Sequence, residues 1–451
     1  MERRVIATVT HVPMESPRKP QVEGPCLGAA RRWPDAVRGH RRVKAYQVVG
    51  FGPDPVHRGG GRVRNYPEGF LWGASTSAHQ TEGNNVASDF WALENRPGGF
   101  LPERSGDACD SYHRWREDLD IVKGLGFNAH RFSVEWARVE PAEGRVSLAE
   151  LAHYRRVIEG CLERGLTPVV TLHHFTSPLW FQKAGGWTAP EAVERFRRYV
   201  RAVLPILDGV DWVCTINEPN MLAMMASMMK AEKREENVAG AMPPPDQAMA
   251  DGPIAAHRAA REELGGFCSG WTIAIQNFEA VGGADAECAE WAWSREDQFL
   301  DAAASDDFVG VQAYTRVRIG RDGALPVPDG ARRTMNGWEF YPAALGNAVR
   351  HTAARIPGVP ILVTENGIAT ADDDERVEYT RGALTGLREA IEDGVDVRGY
   401  LHWSLLDNYE WGTYEPTFGL VAVDRATFAR TVKPSAGWLG DVASGRAAQL
   451  P

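Results

Sequence analysis

The sequence predicts an α/β fold of the (β/α)8 class, the TIM barrel. From Tyr66 onward, short apolar runs alternate with longer segments of mixed polarity, which is the pattern of strand–helix–strand units around a parallel sheet. There are eight such runs. Eight units in roughly 375 residues fit a closed barrel better than an open sheet. No stretch inside this region resembles a linker, so we expect a single domain.

The eight runs are the predicted strands. They lie at residues 70–74, 127–133, 167–172, 212–216, 271–275, 308–311, 361–364 and 399–404. The seventh run, Ile361 to Thr364, is continuously apolar or β-branched, as expected for a strand that is buried on both faces of a parallel sheet. Helix candidates lie between the runs, for example at residues 110–125 and 189–207.

The first 64 residues differ in composition from the rest of the chain. They are rich in Arg, Gly and Pro and hold 13 Lys and Arg against 5 Asp and Glu, whereas the remainder holds 37 against 55. We interpret residues 1–64 as a basic, disordered extension, residues 65–440 as the single barrel domain, and residues 441–451 as a tail. A basic arm can bind nucleic acid. This arm lacks an amphipathic period and interleaved aromatic residues, so we expect no nucleic-acid partner.

Cysteine spacing and hydropathy indicate where in the cell the protein is expected. The six Cys form no Cys-x-x-Cys pair, and no His-Glu-x-x-His motif occurs, so we expect reduced, buried thiols and no structural metal. No apolar segment follows the N-terminal charges as in a secretory signal, and no apolar run of about 18 residues would span a membrane. We therefore expect a cytoplasmic protein without a membrane partner. The sequence leaves the oligomeric state open.

Two carboxylates stand where predicted strands end. Glu218 follows the fourth run in Asn217-Glu218-Pro219, and Glu365 ends the seventh run before Asn366-Gly367. The carboxyl ends of barrel strands form one rim, which is where such barrels place their chemistry. Two carboxylates that face one bond are what glycoside hydrolysis needs, since one attacks the anomeric carbon and the other protonates the leaving oxygen. The alternative is two independent acids at strand ends.

Further motifs surround this pair. They are Phe70-Leu71-Trp72-Gly73-Ala74-Ser75-Thr76 with Gln80 and Glu82-Gly83, Arg131-Phe132-Ser133 with Trp136, Thr171-Leu172-His173-His174-Phe175, Gly337-Trp338-Glu339, and residues 403–411. With these motifs and the two glutamate motifs, the chain from about Tyr66 to Lys433 resembles glycoside hydrolase family 1, the β-glucosidase family. The two glutamate motifs are intact, and all the motifs follow one another in the order typical of that family.

The resemblance implies a role for each residue around the carboxylates. Glu365 would be the nucleophile that forms a covalent glycosyl-enzyme, and Glu218 would be the acid and then the base that activates water. Asn217 would hydrogen-bond the sugar 2-hydroxyl. Arg131 and Tyr314 would hold Glu365 and favour its charged form, because a neighbouring guanidinium lowers the pKa of a carboxyl group. Arg131 could instead pair with a structural acid.

The resemblance also implies how the sugar is held. Gln80, His174 and Glu410 would bind the remaining hydroxyls, Trp403 would form the floor beneath the ring with Trp411 beside it, and Trp338 would line the leaving-group side. No cofactor or metal is implied. For His174, Tyr314 and Trp338, plain packing is the alternative. The methionines that follow Glu218, at positions 221, 224, 225, 228 and 229, have mostly helix-core spacing, and an aglycone wall is the second interpretation.

The sequence departs from the family pattern in several places. Phe175 follows His174 where the family has Trp, and Gln312 stands where Asn is usual. A Phe ring cannot donate a hydrogen bond, so the sugar preference is expected to change if a Trp donor acts there. The barrel is also short for the family, and residues 241–245 replace its glycine-rich pattern. These changes bear on the substrate rather than on the reaction type.

The expected activity is that of a retaining β-glycosidase, which hydrolyses a small β-glucoside or β-galactoside through a covalent glycosyl-enzyme. The alternatives are a transglycosylase, which passes the glycosyl group to an alcohol from the same site, and a catalytically silent sugar-binding barrel. A phospho-sugar substrate is disfavoured because the charge of Glu410 would repel phosphate. Retention predicts that the carboxyl groups of Glu218 and Glu365 lie about 5–5.5 Å apart.

Overall fold

The fold of the predicted domain is a closed barrel of eight parallel strands surrounded by helices, as a computed structural model describes it over residues 66–230 and 242–446. This confirms the predicted (β/α)8 class. Around the barrel each strand pairs with its neighbours in the chain, and the first strand closes against the last. The strands are Leu71–Ser75 (β1), Ala129–Ser133 (β2), Thr167–Thr171 (β3), Trp212–Asn217 (β4), Cys268–Ala274 (β5), Val309–Gln312 (β6), Ile361–Glu365 (β7) and Val397–Trp403 (β8).

Helices form the outer layer. Those of the connections are Ser111–Gly124 (α1), Leu148–Glu163 (α2), Ala192–Val203 (α3), Pro219–Lys230 (α4), Gln247–Leu264 (α5), Asp285–Ala292 (α6), Gln298–Ala302 (α7), Ala344–Arg355 (α8) and Asp373–Glu392 (α9), and Pro434–Ala443 (α10) follows β8. Short helices lie at Ala78–Thr81, Asp89–Glu94, Trp136–Val139 and Leu179–Lys183, with 3-10 turns at Gly186–Thr188 and Leu204–Ile206 and a π turn at Trp293–Asp297. Minor strands at Phe278–Ala280, Val317–Gly320 and Gly323–Ala324 form one sheet, and those at Val421–Val423 and Arg430–Val432 form another.

The fifth strand begins earlier than its apolar run suggests. The run predicts a strand at residues 271–275, whereas β5 starts at Cys268 and pairs there with Trp212 of β4. The added residues include Gly270, where a Cβ atom would lie 1.9 Å from the carbonyl oxygen of Phe308. Barrel closure brings the two backbones this close, so a glycine that looks like a strand breaker belongs to the strand.

Burial on two faces explains the apolar runs. One cluster fills the barrel interior with side chains from its strands, and a larger cluster lies between the strands and the helices. The interior cluster comprises Leu71, Ala129, Val169, Cys214, Phe308, Leu362 and Leu401. Alternate residues of each strand therefore face one cluster or the other, and polar side chains collect where the strands end.

The structure describes only part of the predicted terminal segments. The basic extension at residues 1–64 and the end of the tail, residues 447–451, lie outside the described residues, as does Cys26. Helix α10 runs to Ala443, past the predicted start of the tail at residue 441.

Four of the cysteines are buried and Cys268 is half-buried. Among the described helices, none is both long and apolar enough to cross a membrane.

Candidate active site

Glu365 is the last residue of β7 and is buried at the rim of the barrel. Arg131 of β2 donates from Nη1 to its Oε1 at 2.6 Å, and the Tyr314 hydroxyl donates to its Oε2 at 2.6 Å. Each carboxyl oxygen thus has its own strong donor, in the geometry of charge-assisted hydrogen bonds. Arg131, Tyr314 and Glu365 come together as the resemblance implied, across 234 residues of chain between the arginine and the glutamate.

Asn217, the last residue of β4, is fully buried beside this cluster. Its Oδ1 accepts hydrogen bonds from three side chains: Arg131 Nη2 at 2.5 Å, Thr272 Oγ1 at 3.0 Å and Gln312 Nε2 at 3.0 Å. Its Nδ2 is buried and has no hydrogen-bond partner in the described part of the chain. The amide group is therefore held by its oxygen, and its donor side is free.

Glu218 follows directly at the junction between β4 and α4. Its backbone has φ 41°, in the left-handed region that a non-glycine residue rarely adopts. The junction is held because Glu218 N donates to Thr272 O at 2.7 Å, while Pro219 starts the helix. This turn lets the Glu218 side chain reach a half-buried position at the rim. Strained backbone of this kind is concentrated at functional sites.

The two carboxyl groups differ in their surroundings. Burial raises the pKa of Glu218 well above its usual range, the Glu365 charge raises it further, and only Arg131 opposes the shift. Within the described residues no side chain donates a hydrogen bond to Glu218. Burial also raises the pKa of Glu365, but Arg131, Tyr314 and Gln312 counter it. The sequence predicted a lowered pKa at Glu365. The donors do act in that direction, but burial outweighs them, and the contrast between the two glutamates remains.

Gln80 and Glu410 form a second polar group at the rim. Gln80 Nε2 donates to Tyr409 O at 3.0 Å and to Asn408 Oδ1 at 3.1 Å, and lies 3.4 Å from Glu410 Oε2. Trp403 Nε1 donates to Glu410 Oε1 at 3.2 Å. Burial raises the pKa of Glu410 to about 8. Three predicted sugar-binding residues therefore lie together and are linked by direct hydrogen bonds.

Aromatic rings line the same region. His174 stacks against Trp403 with ring centroids 5.8 Å apart, and against Trp411 at 6.4 Å. Its Nδ1 is buried without a hydrogen-bond partner among the described residues, and burial holds its pKa well below the usual range. A neutral imidazole with a free ring nitrogen is suited to bind a hydroxyl group. Phe175 has φ 63° and meets Trp411 edge to face at 5.1 Å.

Trp338 and the methionines define the outer parts of the site. Trp338 packs on Tyr314 with centroids 5.8 Å apart, which places it beside the Glu365 cluster. On α4, Met224 is buried, while the methionines at 221, 225 and 228 are half-buried. The core interpretation thus fits Met224. The Met221 sulfur lies 3.4 Å from Gln276 Nε2, within the loop that follows β5.

Sequence reasoning missed the residues that support the predicted ones. Thr171 accepts from Arg131 Nε at 3.0 Å, and Thr272 bonds to Asn217. The feature of the sequence that could have indicated these two threonines is their position at or near the ends of β3 and β5. Gly367 is a further case, because a Cβ atom there would lie 2.0 Å from the carbonyl oxygen of Trp403. The glycine after Glu365 is thus explained by a close approach of β8.

Three side chains outside the set of predicted site residues form a potential metal-binding group. The ligand atoms of Glu296, Asp297 and His351 lie within 4.8 Å of one another, and none of the three is a predicted site residue. His351 Nε2 is 2.7 Å from Asp297 Oδ1, and Arg355 Nη1 lies 3.6 Å from Asp297 Oδ2. The hydrogen bond to Asp297 raises the pKa of His351. Protein cations thus already neutralise Asp297, and the group is best described as an ion-pair cluster.

Comparison with known proteins agrees with this geometry. The model of glycosyl hydrolase family 1 matches residues 62–232 and 299–447. A β-glucosidase from Agrobacterium sp. is 31% identical over 84% of this chain and 95% of its own length, and β-glucosidase A from Thermotoga maritima is 30% identical over 84% and 98%.

Solved structures give the same result. A β-glycosidase from Pyrococcus horikoshii superposes with a TM-score of 0.76 at 37% identity, over 84% of this chain and 95% of that one. The T. maritima β-glucosidase in complex with glucoimidazole gives 0.76 at 27% identity, over 84% and 99%. The sequence match and the barrel with its two rim glutamates lead to one conclusion: the chain is a glycoside hydrolase and belongs to family 1, the β-glucosidase family.

Proposed function

We propose that the protein hydrolyses small β-glycosides, such as β-glucosides or β-galactosides, by double displacement, with Glu365 as nucleophile and Glu218 as acid and base. Retention of configuration is the stereochemical course of family 1 enzymes, and it requires a covalent glycosyl-enzyme. The observation that carries the assignment is the unequal hydrogen bonding of the two glutamates. Glu365 is held at both oxygens, and Glu218 has no side-chain donor within the described residues.

The surroundings of Glu365 suit a nucleophile. Arg131 and Tyr314 fix both carboxyl oxygens, so the group keeps one orientation and its charge is stabilised. A nucleophile held in this way loses little entropy when it attacks the anomeric carbon. The same donors lower its pKa against the effect of burial, so Glu365 is the member of the pair that ionises first.

The surroundings of Glu218 suit the proton donor. Burial and the charge of Glu365 both raise its pKa, so Glu218 keeps its proton at a pH where an ordinary glutamate has lost it. In the first step Glu365 attacks the anomeric carbon while Glu218 protonates the departing glycosidic oxygen. In the second step Glu218 accepts a proton from water, water attacks the same carbon, and Glu365 leaves. The proton lost in the first step is thereby restored.

The second polar group suits the sugar hydroxyls. Gln80, Glu410 and Trp403 present a glutamine amide, a carboxyl group and an indole within one hydrogen-bonded unit. An aromatic face with convergent polar groups is suited to a pyranose ring, which is apolar above and below and polar at its edge. His174 contributes its free ring nitrogen beside Trp403. These contacts support a single sugar residue bound next to the glutamate pair.

The test compares the protein with Glu365→Ala and Glu218→Ala on a panel of p-nitrophenyl β-glycosides, with and without sodium azide. We expect Glu365→Ala to lose more than about 10³-fold in kcat/KM. Glu218→Ala should lose mainly kcat, because nitrophenol departs with little acid assistance and the missing base slows the attack of water in the second step. Azide should restore Glu365→Ala with an α-glycosyl azide as product, because azide then attacks from the side of the missing nucleophile. It should restore Glu218→Ala with a β-glycosyl azide, because azide then replaces the activated water.

Controls separate the possible outcomes. Glu415→Ala removes an exposed glutamate from the loop after Trp411 and should leave the rates unchanged. Exchanged azide anomers would reverse the two roles. If nitrophenol is released only when an acceptor alcohol is added, the transglycosylase alternative replaces hydrolysis. If the wild-type protein cleaves no member of the panel with or without an acceptor, the proposal fails and the sugar-binding alternative takes its place.

A further inference from the structure

Two side-chain amides meet beside the catalytic glutamates. Gln312 ends β6 and is 1% exposed, and Asn217 ends β4 and is fully buried. Gln312 Nε2 donates to Asn217 Oδ1 at 3.0 Å. Gln312 is also one of the positions at which this sequence departs from the family pattern. A glutamine at this buried position has two polar atoms that need partners.

The orientation of both amides follows from their neighbours. A guanidinium can only donate, so the Asn217 atom that faces Arg131 Nη2 at 2.5 Å must be the oxygen. The Thr272 hydroxyl donates to the same oxygen. The Gln312 atom that faces this oxygen must then be the NH2 group, because two amide oxygens would repel each other. The remaining atoms, Asn217 Nδ2 and Gln312 Oε1, are turned away from this hydrogen bond.

These two remaining atoms are both unpaired. Asn217 Nδ2 and Gln312 Oε1 are buried and have no hydrogen-bond partner among the described residues. Leaving a buried donor or acceptor unsatisfied costs about 1–3 kcal/mol each, so two of them in adjacent side chains need an explanation. One is a donor and the other an acceptor. The simplest neutral group that satisfies both at once is a hydroxyl, which accepts and donates through one oxygen.

The position of the pair indicates which hydroxyl it takes. Asn217 is bonded in sequence to Glu218, and its oxygen shares the Arg131 guanidinium with Glu365. Gln312 pairs with Glu365 in the register of β6 and β7. Under the proposed function, Glu365 attacks the anomeric carbon. That carbon has two ring neighbours, the ring oxygen and the carbon that bears the 2-hydroxyl, and only the second carries a hydroxyl.

We propose that Gln312 is a substrate-contacting residue that, together with Asn217, binds the 2-hydroxyl of the sugar. Asn217 Nδ2 donates to the hydroxyl oxygen, and the hydroxyl donates to Gln312 Oε1. Gln312 also holds the Asn217 amide in the required orientation. The inference rests on the proposed function and adds a preference to it: the site selects sugars with an equatorial 2-hydroxyl over 2-deoxy sugars and over β-mannosides, in which that hydroxyl is axial.

The test measures whether the loss of activity on substitution of Gln312 depends on the presence of the sugar 2-hydroxyl. Gln312→Met keeps the side-chain length and removes the amide donor and acceptor. We expect it to lower kcat/KM for p-nitrophenyl β-glucoside by about 10-fold more than for the 2-deoxy-β-glucoside, which is the size of one or two lost hydrogen bonds. The wild-type preference for glucoside over mannoside should fall in the same variant.

Two controls keep the result specific. The 6-deoxy-β-glucoside lacks a hydroxyl far from the anomeric carbon, so Gln312→Met should affect it as strongly as the parent glucoside. Gln312→Glu, in its protonated form, still has one donor and one acceptor. Its ionised form also accepts from a hydroxyl, so this variant should retain more of the 2-hydroxyl preference than Gln312→Met. This variant also serves if Gln312→Met fails to fold, as judged by thermal unfolding.

The outcomes distinguish a failure of the role proposed for Gln312 from a failure of the proposed hydrolase function. Equal losses on the glucoside and its 2-deoxy analogue in Gln312→Met would overturn the role of Gln312, while the hydrolase function stands because the wild type still cleaves both. Loss of the 2-hydroxyl preference in Gln312→Glu, which keeps the acceptor, would overturn that role as well. If the wild type cleaves no β-glucoside or β-galactoside, the proposed function fails and this inference falls with it.

Discussion

At the scale of single residues, the two rim glutamates show how neighbouring groups give identical side chains different properties. Both are surrounded by protein that raises their pKa. Glu365 receives hydrogen bonds at both oxygens, and Glu218 receives none from the described side chains. Identical side chains at one barrel rim thereby acquire different proton affinities, which is the requirement for one nucleophile and one acid.

Tyr314→Phe tests the contribution of one of these donors. The change removes a hydroxyl that bonds to Glu365 Oε2 at 2.6 Å and keeps the ring that packs on Trp338. We expect kcat to fall by about 10- to 100-fold, the value of a hydrogen bond to a charged group. The loss of a donor raises the pKa of Glu365, so the acidic limb of the kcat/KM profile should move to higher pH.

The control for this prediction is Tyr341→Phe. Tyr341 lies against the Arg316 guanidinium, and the hydrogen bonds to Glu365 come from Arg131 and Tyr314 instead, so the Tyr341 hydroxyl should not influence the acidic limb. Rates of both variants are measured across pH on the same p-nitrophenyl glycoside. An acidic limb that stays in place in Tyr314→Phe would mean that this hydroxyl does not influence the pKa of Glu365.

At the scale of elements, the strand ends and the turns after them set the positions of the site residues. The turn from β4 into α4 brings Glu218 out of the strand in a left-handed conformation, stabilised by its hydrogen bond to Thr272 O. A second irregular element, the π turn at Trp293–Asp297, buries Glu296, whose Oε2 accepts from Gln276 N at 2.8 Å. A π turn inside a helix is an uncommon feature that often serves a local purpose.

Glu296→Gln tests what this buried acid does to stability. Burial raises the pKa of Glu296 to about 8 from 4.5. A carboxyl with a raised folded-state pKa contributes its full stability below the unfolded value and loses it as the pH rises through the folded value, by at most about 1.4 kcal/mol per pH unit. The neutral glutamine can still accept from Gln276. We therefore expect the variant to gain Tm over the wild type progressively from pH 5 to pH 8.

Glu290→Gln is the matched control, since Glu290 is an exposed glutamate on the adjacent helix α6. Its Tm difference from the wild type should not change with pH. Thermal unfolding is followed by differential scanning fluorimetry in buffers of equal ionic strength. A difference between Glu296→Gln and the wild type that is constant, or that shrinks towards pH 8, would show that Glu296 is ionised in the folded protein.

At the scale of the whole molecule, every predicted site residue lies between Gln80 and Trp411, within the closed barrel. The β-glucosidases of Agrobacterium sp. and T. maritima match 84% of this chain and nearly all of their own length. We therefore predict that deletion of residues 1–64 leaves kcat/KM within about two-fold and Tm nearly unchanged, because the site residues and the side chains described as supporting them all lie between residues 80 and 411.

The deletion variant and the full chain are compared in activity, thermal unfolding and retention on a nucleic-acid column. The alternative of a nucleic-acid-binding arm predicts that only the full chain is retained at low salt. A loss of activity above ten-fold at unchanged Tm would instead assign the arm a part in catalysis or substrate access. Loss of Tm would place residues 1–64 within the folded domain and contradict the predicted boundary.

The local pattern of the sequence was sufficient to predict the barrel and the two glutamates. Strand identity depends on burial over a few residues, and the alternation of apolar runs with helical segments repeats eight times. The strand-end position of Glu218 and Glu365 follows from the same local pattern. The resemblance to family 1 then supplied the roles of residues such as Arg131 and Gln80, which no spacing rule would have identified.

The tertiary structure decided which groups reach one another. Arg131 and Glu365 are far apart in the chain, and only barrel closure brings them to 2.6 Å. The support from Thr171 and Thr272, the free atoms of Asn217 and Gln312, and the balance between burial and donors at Glu365 depend on the same closure. A local pattern records which residues are buried in each strand, whereas hydrogen bonds and pKa shifts at the rim arise between strands, where only the folded geometry sets the distances.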